Sequence, residues 1–172
     1  MPSHPLPNTT FTTSTATPGH DRTVVVEART PDGALVGSAL ARRAPMAIAY
    51  FEAVEQGMQR VDYEAELDTV AFLDSVAVDD ERQGEGIATA LLEQLSSTLA
   101  ASGTRVLFGA IPRDENSIST ARFAENRGFM VLQSGQRLPN FFGRRWTLPH
   151  SPDPLNWYFA RLPSAAPGSA RI

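Results

Sequence analysis

A strand that runs through glycines into a helix is the feature that most constrains the fold of this chain. Val70–Val78 is an almost continuously apolar run, which is typical of a strand buried on both faces. Ile87–Ala101 places its large apolar residues on one stripe at helical spacing, and this pattern stops at Gly103. A second apolar run over residues 105–111 predicts another buried strand. The three segments therefore predict a parallel β-α-β unit with a right-handed crossover.

The pattern on either side of this unit predicts a central mixed sheet flanked by helices. The elements predicted outside the unit are a hairpin over residues 23–42, a helix over 46–58, strands over 61–67, 129–132 and 156–162, and a helix over 117–127. The predicted fold class is α/β, or α+β in mixed-sheet terms, with a β-α-β-α-β second half.

Composition divides the chain into one folded unit and two tails. Residues 1–21 are rich in Ser, Thr and Pro and poor in bulky apolar side chains, so we expect a disordered N-terminal arm. Residues 163–172 are small and rich in Pro, Gly and Ser, so we expect a flexible C-terminal tail. Residues 22–162 then form a single domain, and an apolar content of 42% is enough for a core.

The residue inventory excludes several classes of function. The chain has no cysteine and its three histidines share no metal-ligand spacing, so we expect no metal site. All fifteen basic residues are arginine, which excludes lysine Schiff bases and the phosphate-loop motif. A net charge of −4 argues against a nucleic-acid partner. The longest apolar run, about eight residues, is too short for a membrane helix, and no signal-peptide pattern opens the chain. We therefore expect a cytoplasmic protein with no membrane partner.

The turn between the buried strand and the helix is the candidate binding motif. Residues 79–88 have the sequence DDERQGEGIA. Glycines in such a turn let the backbone approach a ligand, and the N–H groups at the positive end of the helix then face an anion such as a phosphate. Alternatively, Gly84 and Gly86 only shape a tight turn. Thr89 stands where a dinucleotide fingerprint needs its third glycine, which excludes that motif.

The wider pattern around this turn strongly resembles the GNAT superfamily of N-acetyltransferases. In that family an apolar strand leads into Gln/Arg-x-x-Gly-x-Gly/Ala at the start of a helix, which is the acetyl-coenzyme A motif. Here Gln83 fills the first position, Gly86 the fourth and Ala88 the sixth. Downstream, Asn116 and the sequence ENRGF over residues 125–129 resemble the family's second helix, which usually closes in a Gly-Phe pair.

The resemblance covers residues 70–132 and implies a GNAT-like fold with acetyl-CoA as co-substrate. It implies that strand backbone groups pair with the pantetheine arm, that N–H groups at the helix start cradle the pyrophosphate, and that an asparagine amide contacts pantetheine. The cofactor-binding residues it implies are Val76, Ala77, Val78, Gln83, Gly84, Glu85, Gly86, Ile87, Ala88, Thr89 and Asn116. Family members transfer the acetyl group directly to an amine, which requires a base, an oxyanion donor (the N–H of Ala77 or Val78 if the strand bulges) and an acid.

Two side chains are the candidate catalytic residues. Asp74 lies within the apolar strand, where a carboxylate is costly unless it is paired or functional, so it is either a general base or a structural residue. The family often places a tyrosine, in the role of general acid, four residues before the glycine that ends the second helix. In this sequence that residue is Ala124. Tyr158, Ser119 or a water molecule is left to protonate the thiolate, if an acid is needed at all.

Two classes of function follow from these residues. The first is an N-acetyltransferase that acts on a primary amine of a small molecule or peptide, and the second is a catalytically silent acyl-CoA-binding module. A tRNA-acetylating toxin fits poorly with the acidic charge. Residues 52–68 carry six acids and one arginine, which predicts either a solvated face or a wall that attracts a cationic amine. The sequence leaves a homodimer open.

Overall fold

A mixed sheet carries the glycine turn at the point where two of its strands diverge. The computed structural model describes residues 8–16, 22–43, 67–111, 113–136 and 156–163. The strands are β1 (Thr10–Ala16), β2 (Thr23–Arg29), β3 (Leu35–Arg43), β4 (Val70–Val78), β5 (Val106–Ile111), β6 (Met130–Val131) and β7 (Asn156–Arg161), and the helices are α1 (Ile87–Ala101) and α2 (Ser117–Asn126). The strand order is β1-β2-β3-β4-β5-β7-β6. The predicted fold class and the β-α-β-α-β second half are confirmed.

β4 is the strand at which the pairing of the sheet changes. It pairs with β3 in antiparallel fashion along its whole length, but its parallel pairing with β5 covers only residues 70–72 among the described residues. β5 continues to pair with β7 as far as Ile111. The rings of Phe72 and Phe108 meet edge to face, with centroids 5.4 Å apart, at the end of the shared pairing. Beyond these rings β4 and β5 separate and leave a gap in the sheet.

A β-bulge at Asp74 divides β4 into two halves. Leu40 of β3 faces Ser75 while Ala41 faces Leu73, so Asp74 is the extra residue. The extra residue shifts the alternation, because core-facing residues of β4 carry odd numbers before the bulge and even numbers after it. The second half is half-buried or exposed, since β5 no longer lies beside it. The prediction that β4 is buried on both faces is therefore wrong beyond the bulge.

Helix α1 packs on β2, β3 and β4 and holds the glycine turn against the sheet. Its buried stripe consists of Ile87, Leu91, Leu92, Leu95, Leu99 and Ala100. A Cβ atom on Gly37 of β3 would stand 3.0 Å from the carbonyl oxygen of Ala77 and 3.1 Å from Cδ1 of Leu91, so glycine is needed where the helix meets the sheet. In the described part of the chain, neither α1 nor α2 is long and apolar enough to cross a membrane.

Strand β1 corrects the prediction of a disordered arm for residues 10–16 of the predicted span 1–21. It pairs with β2 in antiparallel fashion over all seven of its residues, and Phe11 packs against the core. Its threonines favour extended backbone, and the free edge of β2 supplies the hydrogen bonds that the segment could not make alone. The predicted helix over 46–58, all but Leu67 of the strand over 61–67, and all but Pro163 of the tail lie outside the described residues.

Candidate functional site

A cleft of about 610 Å³ lies where β4 and β5 diverge. Its walls come from the second half of β4, the glycine turn, the first turn of α1, one face of α2, and β7. The predicted site residues that line it are Asp74, Val76, Val78, Gln83, Gly84, Gly86, Ile87, Ala88, Thr89 and Tyr158. Ala77, Glu85 and Asn116 are outside this lining. The volume lies in the range of small-molecule sites, roughly 300–1,000 Å³.

The second half of β4 presents an open hydrogen-bonding edge to the cleft. The N–H of Asp79 donates to the carbonyl of Val36 on β3, at a distance of 3.0 Å. Backbone groups alternate along a strand, so those of Ala77 also face β3, whereas those of Val76 and Val78 face the cleft. The bulge that the resemblance required is present. Of the two oxyanion donors it implied, Ala77 is engaged in the sheet, and Val78 has a cleft-facing N–H but lies at the turn end of the strand. The cleft-facing N–H closer to the point where β4 and β5 separate is that of Val76.

The glycine turn is built by backbone conformation. Gly84 and Gly86 have φ angles of 82° and 90°, a left-handed region that disfavours other residues. The α1 hydrogen-bond ladder starts with the N–H of Ala90, which donates to the carbonyl of Gly86 at 3.1 Å. The preceding N–H groups, those of residues 87–89, have no acceptor within the helix and point out of its positive end. This end of the cleft is suited to an anion.

An ion pair within the turn neutralises an acidic side chain beside that helix end. The Arg82 guanidinium donates to both carboxylate oxygens of Glu85, with Nη2–Oε2 at 2.7 Å and Nε–Oε1 at 2.8 Å. Hydrogen bonding by Arg82 lowers the pKa of Glu85, and the same contact raises the pKa of Arg82. The pair is therefore complete above the ordinary pKa of a glutamate and is lost as the pH falls through the lowered value.

We expect this ion pair to control the affinity for an anionic ligand. Arg82→Gln leaves the Glu85 carboxylate unneutralised, so the Kd for acetyl-CoA at neutral pH should rise a few-fold, because the exposed negative charge then repels the nearby phosphates. Glu85→Gln should lower the Kd. Calorimetry on both variants and on the double variant, which should bind more tightly than Arg82→Gln alone, checks the expectation. An unchanged Kd in Arg82→Gln would place the ligand's phosphates elsewhere.

Asp74 lies at the cleft but is not a buried, unpaired carboxylate. Nε and Nη2 of Arg42 lie 3.0 Å and 2.9 Å from its Oδ1, and the Asp74 side chain is 38% exposed. The same guanidinium lies over the ring of Phe72, 5.6 Å from the centroid. The bulge and the ion pair explain how a carboxylate is tolerated in this strand. Its role as a general base stays a prediction.

Tyr158 is a buried polar side chain at the inner end of the cleft, which is the end where β4 and β5 begin to separate. It is 8% exposed, and its ring meets that of Phe129 edge to face with centroids 5.4 Å apart. Among the described residues its hydroxyl has no hydrogen-bond partner. Burial raises the pKa of Tyr158 to about 12, so the hydroxyl keeps its proton at neutral pH.

Helix α2 reaches the cleft through several residues, of which the sequence singled out Ser119 and Ala124 and missed the rest. Asn116 begins this helix, its N–H donates to Oδ1 of Asp114 at 2.9 Å, and its side chain is exposed outside the cleft lining. The residues of α2 and its end that line the cleft are Ser119, Thr120, Phe123, Ala124 and Arg127. Arg127 lies over the ring of Phe123, 5.6 Å from the centroid, and brings a positive charge to the cleft. The four-residue spacing of this pair was the available signal.

Comparison with known proteins agrees with this geometry. The model of the acetyltransferase (GNAT) family matches residues 7–129, which is more than half of the chain. No curated protein matches the sequence significantly. In the described residues, no group of three or more histidine, aspartate or glutamate side chains could hold a metal ion.

Solved structures share the fold at low sequence identity. An acetyltransferase of the GNAT family from Staphylococcus aureus Mu50 is 17% identical, with a TM-score of 0.55, over 82% of this chain and 69% of that chain. A protein of the GNAT family from Desulfovibrio desulfuricans is 21% identical, with a TM-score of 0.53, over 82% and 69%. The yncA protein from Salmonella typhimurium, solved with acetyl-CoA, is 19% identical, with a TM-score of 0.52, over 86% and 69%. The family match and the shared fold lead to one conclusion: the chain belongs to the GNAT family of acetyltransferases.

Proposed function

We propose that the protein transfers the acetyl group of acetyl-CoA to a primary amine of a small molecule or peptide, by direct attack in a ternary complex. The observation that carries the proposal is the continuity of the cleft. The open edge of β4 lies along one wall, and the anion-binding end of α1 follows directly after it. A ligand with an amide-bearing arm and a phosphate end needs both features.

Acetyl-CoA fits the donors and acceptors of this cleft. The C=O of Val76 and the N–H and C=O groups of Val78 pair with the amides of the pantetheine arm in the manner of an added strand. The N–H groups of residues 87–89 hold the pyrophosphate, and Arg127 contributes positive charge. The acyl end of such a ligand then lies at the inner end of the cleft, near Tyr158.

Three groups of the protein then serve the transfer. The amine nitrogen attacks the thioester carbonyl carbon, and the N–H of Val76, the cleft-facing N–H of β4 that lies nearer the bulge, donates to the carbonyl oxygen as negative charge develops there. As the carbon–sulfur bond breaks, the Tyr158 hydroxyl donates its proton to the sulfur. The ammonium first loses one proton to Asp74 or to water, which frees the lone pair for the attack. After the attack the nitrogen loses a second proton, and this proton restores the Tyr158 hydroxyl. The products are an N-acetyl amine and coenzyme A with a free thiol.

A thiol-release assay over a panel of amines tests this proposal. We expect one thiol released for each acetylated amine, no acetylated protein, and initial-velocity lines that intersect when both substrates are varied. Parallel lines, or an acetyl-protein intermediate, would contradict direct attack. Tight binding of acetyl-CoA without turnover on any amine would favour the silent binding module, for which Ala124 is the supporting residue.

The acceptor is proposed to be cationic because of the acidic residues in segment 52–68. Of that segment the structure describes Leu67 and Asp68, and Asp68 lies 3.4 Å from Nε of Arg43. The panel should therefore pair a dicationic amine with a zwitterionic one at low and high salt, because attraction by an acidic wall weakens as salt is raised. A higher kcat/KM for the zwitterionic amine would contradict the proposal that the acceptor is cationic. A cytoplasmic location and a homodimer stay predictions.

A further inference from the structure

The side chain of Tyr158 occupies the space of a missing side chain on the neighbouring strand. Gly109 of β5 pairs directly with Tyr158 of β7. A Cβ atom on Gly109 would overlap Cζ and the hydroxyl oxygen of Tyr158 and would stand 2.8 Å from its Cε2. Real Cβ atoms do not approach ring atoms so closely, so the tyrosine ring lies across the glycine backbone.

Backbone conformation does not account for this glycine. Gly109 is not among the glycines with positive φ, and it lies inside a regularly paired strand. Glycine weakens a strand interior and often marks a close approach of another group. Here the close approach is the phenol ring. Position 109 is therefore a glycine because the ring of Tyr158 leaves no room for a side chain there.

A second neighbour of the Tyr158 ring is Phe129. Its ring meets that of Tyr158 at an interplanar angle of 79° with centroids 5.4 Å apart. Gly109 and Phe129 thus form a slot that fixes both the position and the tilt of the phenol. We call the space that these two residues leave for the Tyr158 ring the slot.

The slot lies where the cleft begins. The last residue of β5 that pairs with β4 is Phe108, so Gly109 is the first residue beyond the shared pairing. On the facing strand the first residue beyond it is Leu73, which lines the cleft together with Tyr158 and Ala110. A phenol lying across Gly109 therefore has its hydroxyl at the inner end of the gap.

We propose that Gly109 is a positioning residue, whose missing side chain forms the slot that aims the Tyr158 hydroxyl into the cleft. The inference rests on the proposed function, in which Tyr158 donates a proton to the departing sulfur. Gly109 touches no substrate and acts through Tyr158. Alanine at this position displaces the ring and separates the hydroxyl from the sulfur, while the binding groups on β4 and α1 stay in place.

The test is Gly109→Ala, measured alone and together with Tyr158→Phe. We expect kcat to fall about tenfold or more in Gly109→Ala with little change in the Kd for acetyl-CoA, since positioned proton transfer contributes about 10² to 10⁴. In the Tyr158→Phe background the same substitution should cause almost no further fall, because the two residues act as a unit. Equal falls in the two backgrounds would overturn the proposal.

A spectroscopic readout follows the position of the phenol directly. With labelled tyrosine, the Tyr158 signal can be assigned through Tyr158→Phe, and its pH titration followed by NMR. Displacement from the slot exposes the hydroxyl, so the pKa should move from about 12 toward the ordinary value in Gly109→Ala. An unmoved titration would show that the ring stays in place and would also overturn the proposal.

Two further variants control for lost stability. Val106→Ala removes buried volume from the same strand, but from its other face, so it should lower stability while kcat is kept. If Gly109→Ala does not fold, Gly109→Ala/Tyr158→Leu should regain stability, because leucine lacks the overlapping atoms. Failure of that rescue would contradict the slot. If Tyr158→Phe alone keeps full activity, the proton-donor role fails, whereas the titration and the rescue still decide whether the slot exists.

Discussion

Replacing Tyr158 with phenylalanine should lower kcat by about two to three orders of magnitude and leave the affinity for acetyl-CoA nearly unchanged. The substitution removes the hydroxyl at the inner end of the cleft and keeps the ring that packs against Phe129. Steady-state kinetics with saturating amine, together with calorimetric binding of acetyl-CoA, check this result. Trp157→Phe is the matched control, because this neighbouring aromatic residue of β7 points to the opposite face of the sheet.

The raised pKa of Tyr158 determines what kind of acid it can be. Its value of about 12 lies roughly 3.5 units above that of an alkyl thiol such as cysteine, so complete proton transfer to a free thiolate is uphill by about 5 kcal/mol. The transfer is therefore concerted: the hydroxyl hydrogen-bonds to the sulfur as charge develops, and its proton moves to the sulfur as the proton lost by the amine reaches the phenol oxygen. The group stays protonated until the pH approaches its raised value, so its loss should not limit the rate between about pH 6 and 10.

A fall in kcat at lower pH then reports the titration of another group, such as the amine substrate. The midpoint of this fall should be the same in the wild type and in Tyr158→Phe, and only the maximal kcat should differ. A value of kcat within about threefold of wild type in Tyr158→Phe would instead show that water protonates the sulfur.

The strand–turn–helix unit was predictable because its signals are local. Apolar periodicity placed β4 and α1 at the residues where the structure has them, and it placed α2 and β7 within one residue at their ends. The two glycines of the turn sit where the backbone is left-handed, which single-residue chemistry dictates. The residues that determine these elements, and those of the binding motif, are close together in the sequence.

The features that sequence could not supply all depend on a partner strand. β1 is polar and would not fold alone, but the edge of β2 gives it hydrogen bonds. The bulge at Asp74 is defined by its register against β3, and so is the choice between Ala77 and Val78 as the residue whose N–H faces the cleft. Arg42, the partner of Asp74, is 32 residues away in sequence.

The same limit applies to the choice of an acid among Tyr158, Ser119 and water. Ser119 is exposed, and its hydroxyl donates to the carbonyl of Asn116 at 2.8 Å, so its proton is engaged within the first turn of α2. Tyr158 is buried at the inner end of the cleft because Gly109, on a strand 49 positions earlier, leaves room for its ring. A pair of this kind has no local pattern, and its members can be linked only once the strand pairing is known.

Val76→Pro should lower kcat by about 10² to 10³, the usual effect of removing one oxyanion donor. Proline removes the N–H that faces the cleft and takes no hydrogen bond from the β3–β4 ladder, because Val76 points that group away from β3. The preceding residue, Ser75, lies in β4, so its extended backbone already satisfies the restriction on a residue that precedes proline. The variant should therefore fold, with little change in KM for acetyl-CoA because the arm-pairing groups of Val78 are kept.

Two substitutions make this result specific to the backbone donor. Val76→Ala changes the side chain and keeps the N–H, so its kcat should stay within a few-fold of wild type. Ala77→Pro removes an N–H that faces β3, so it should lower the free energy of unfolding in denaturant titrations by the cost of a broken ladder bond, about 1 to 3 kcal/mol. A Val76→Pro protein that folds and keeps its kcat would show that Val76 is not the donor. A folded protein with wild-type KM and a kcat reduced a hundredfold would show instead that this N–H acts on the developing oxyanion, because an N–H that only bound the arm would change KM.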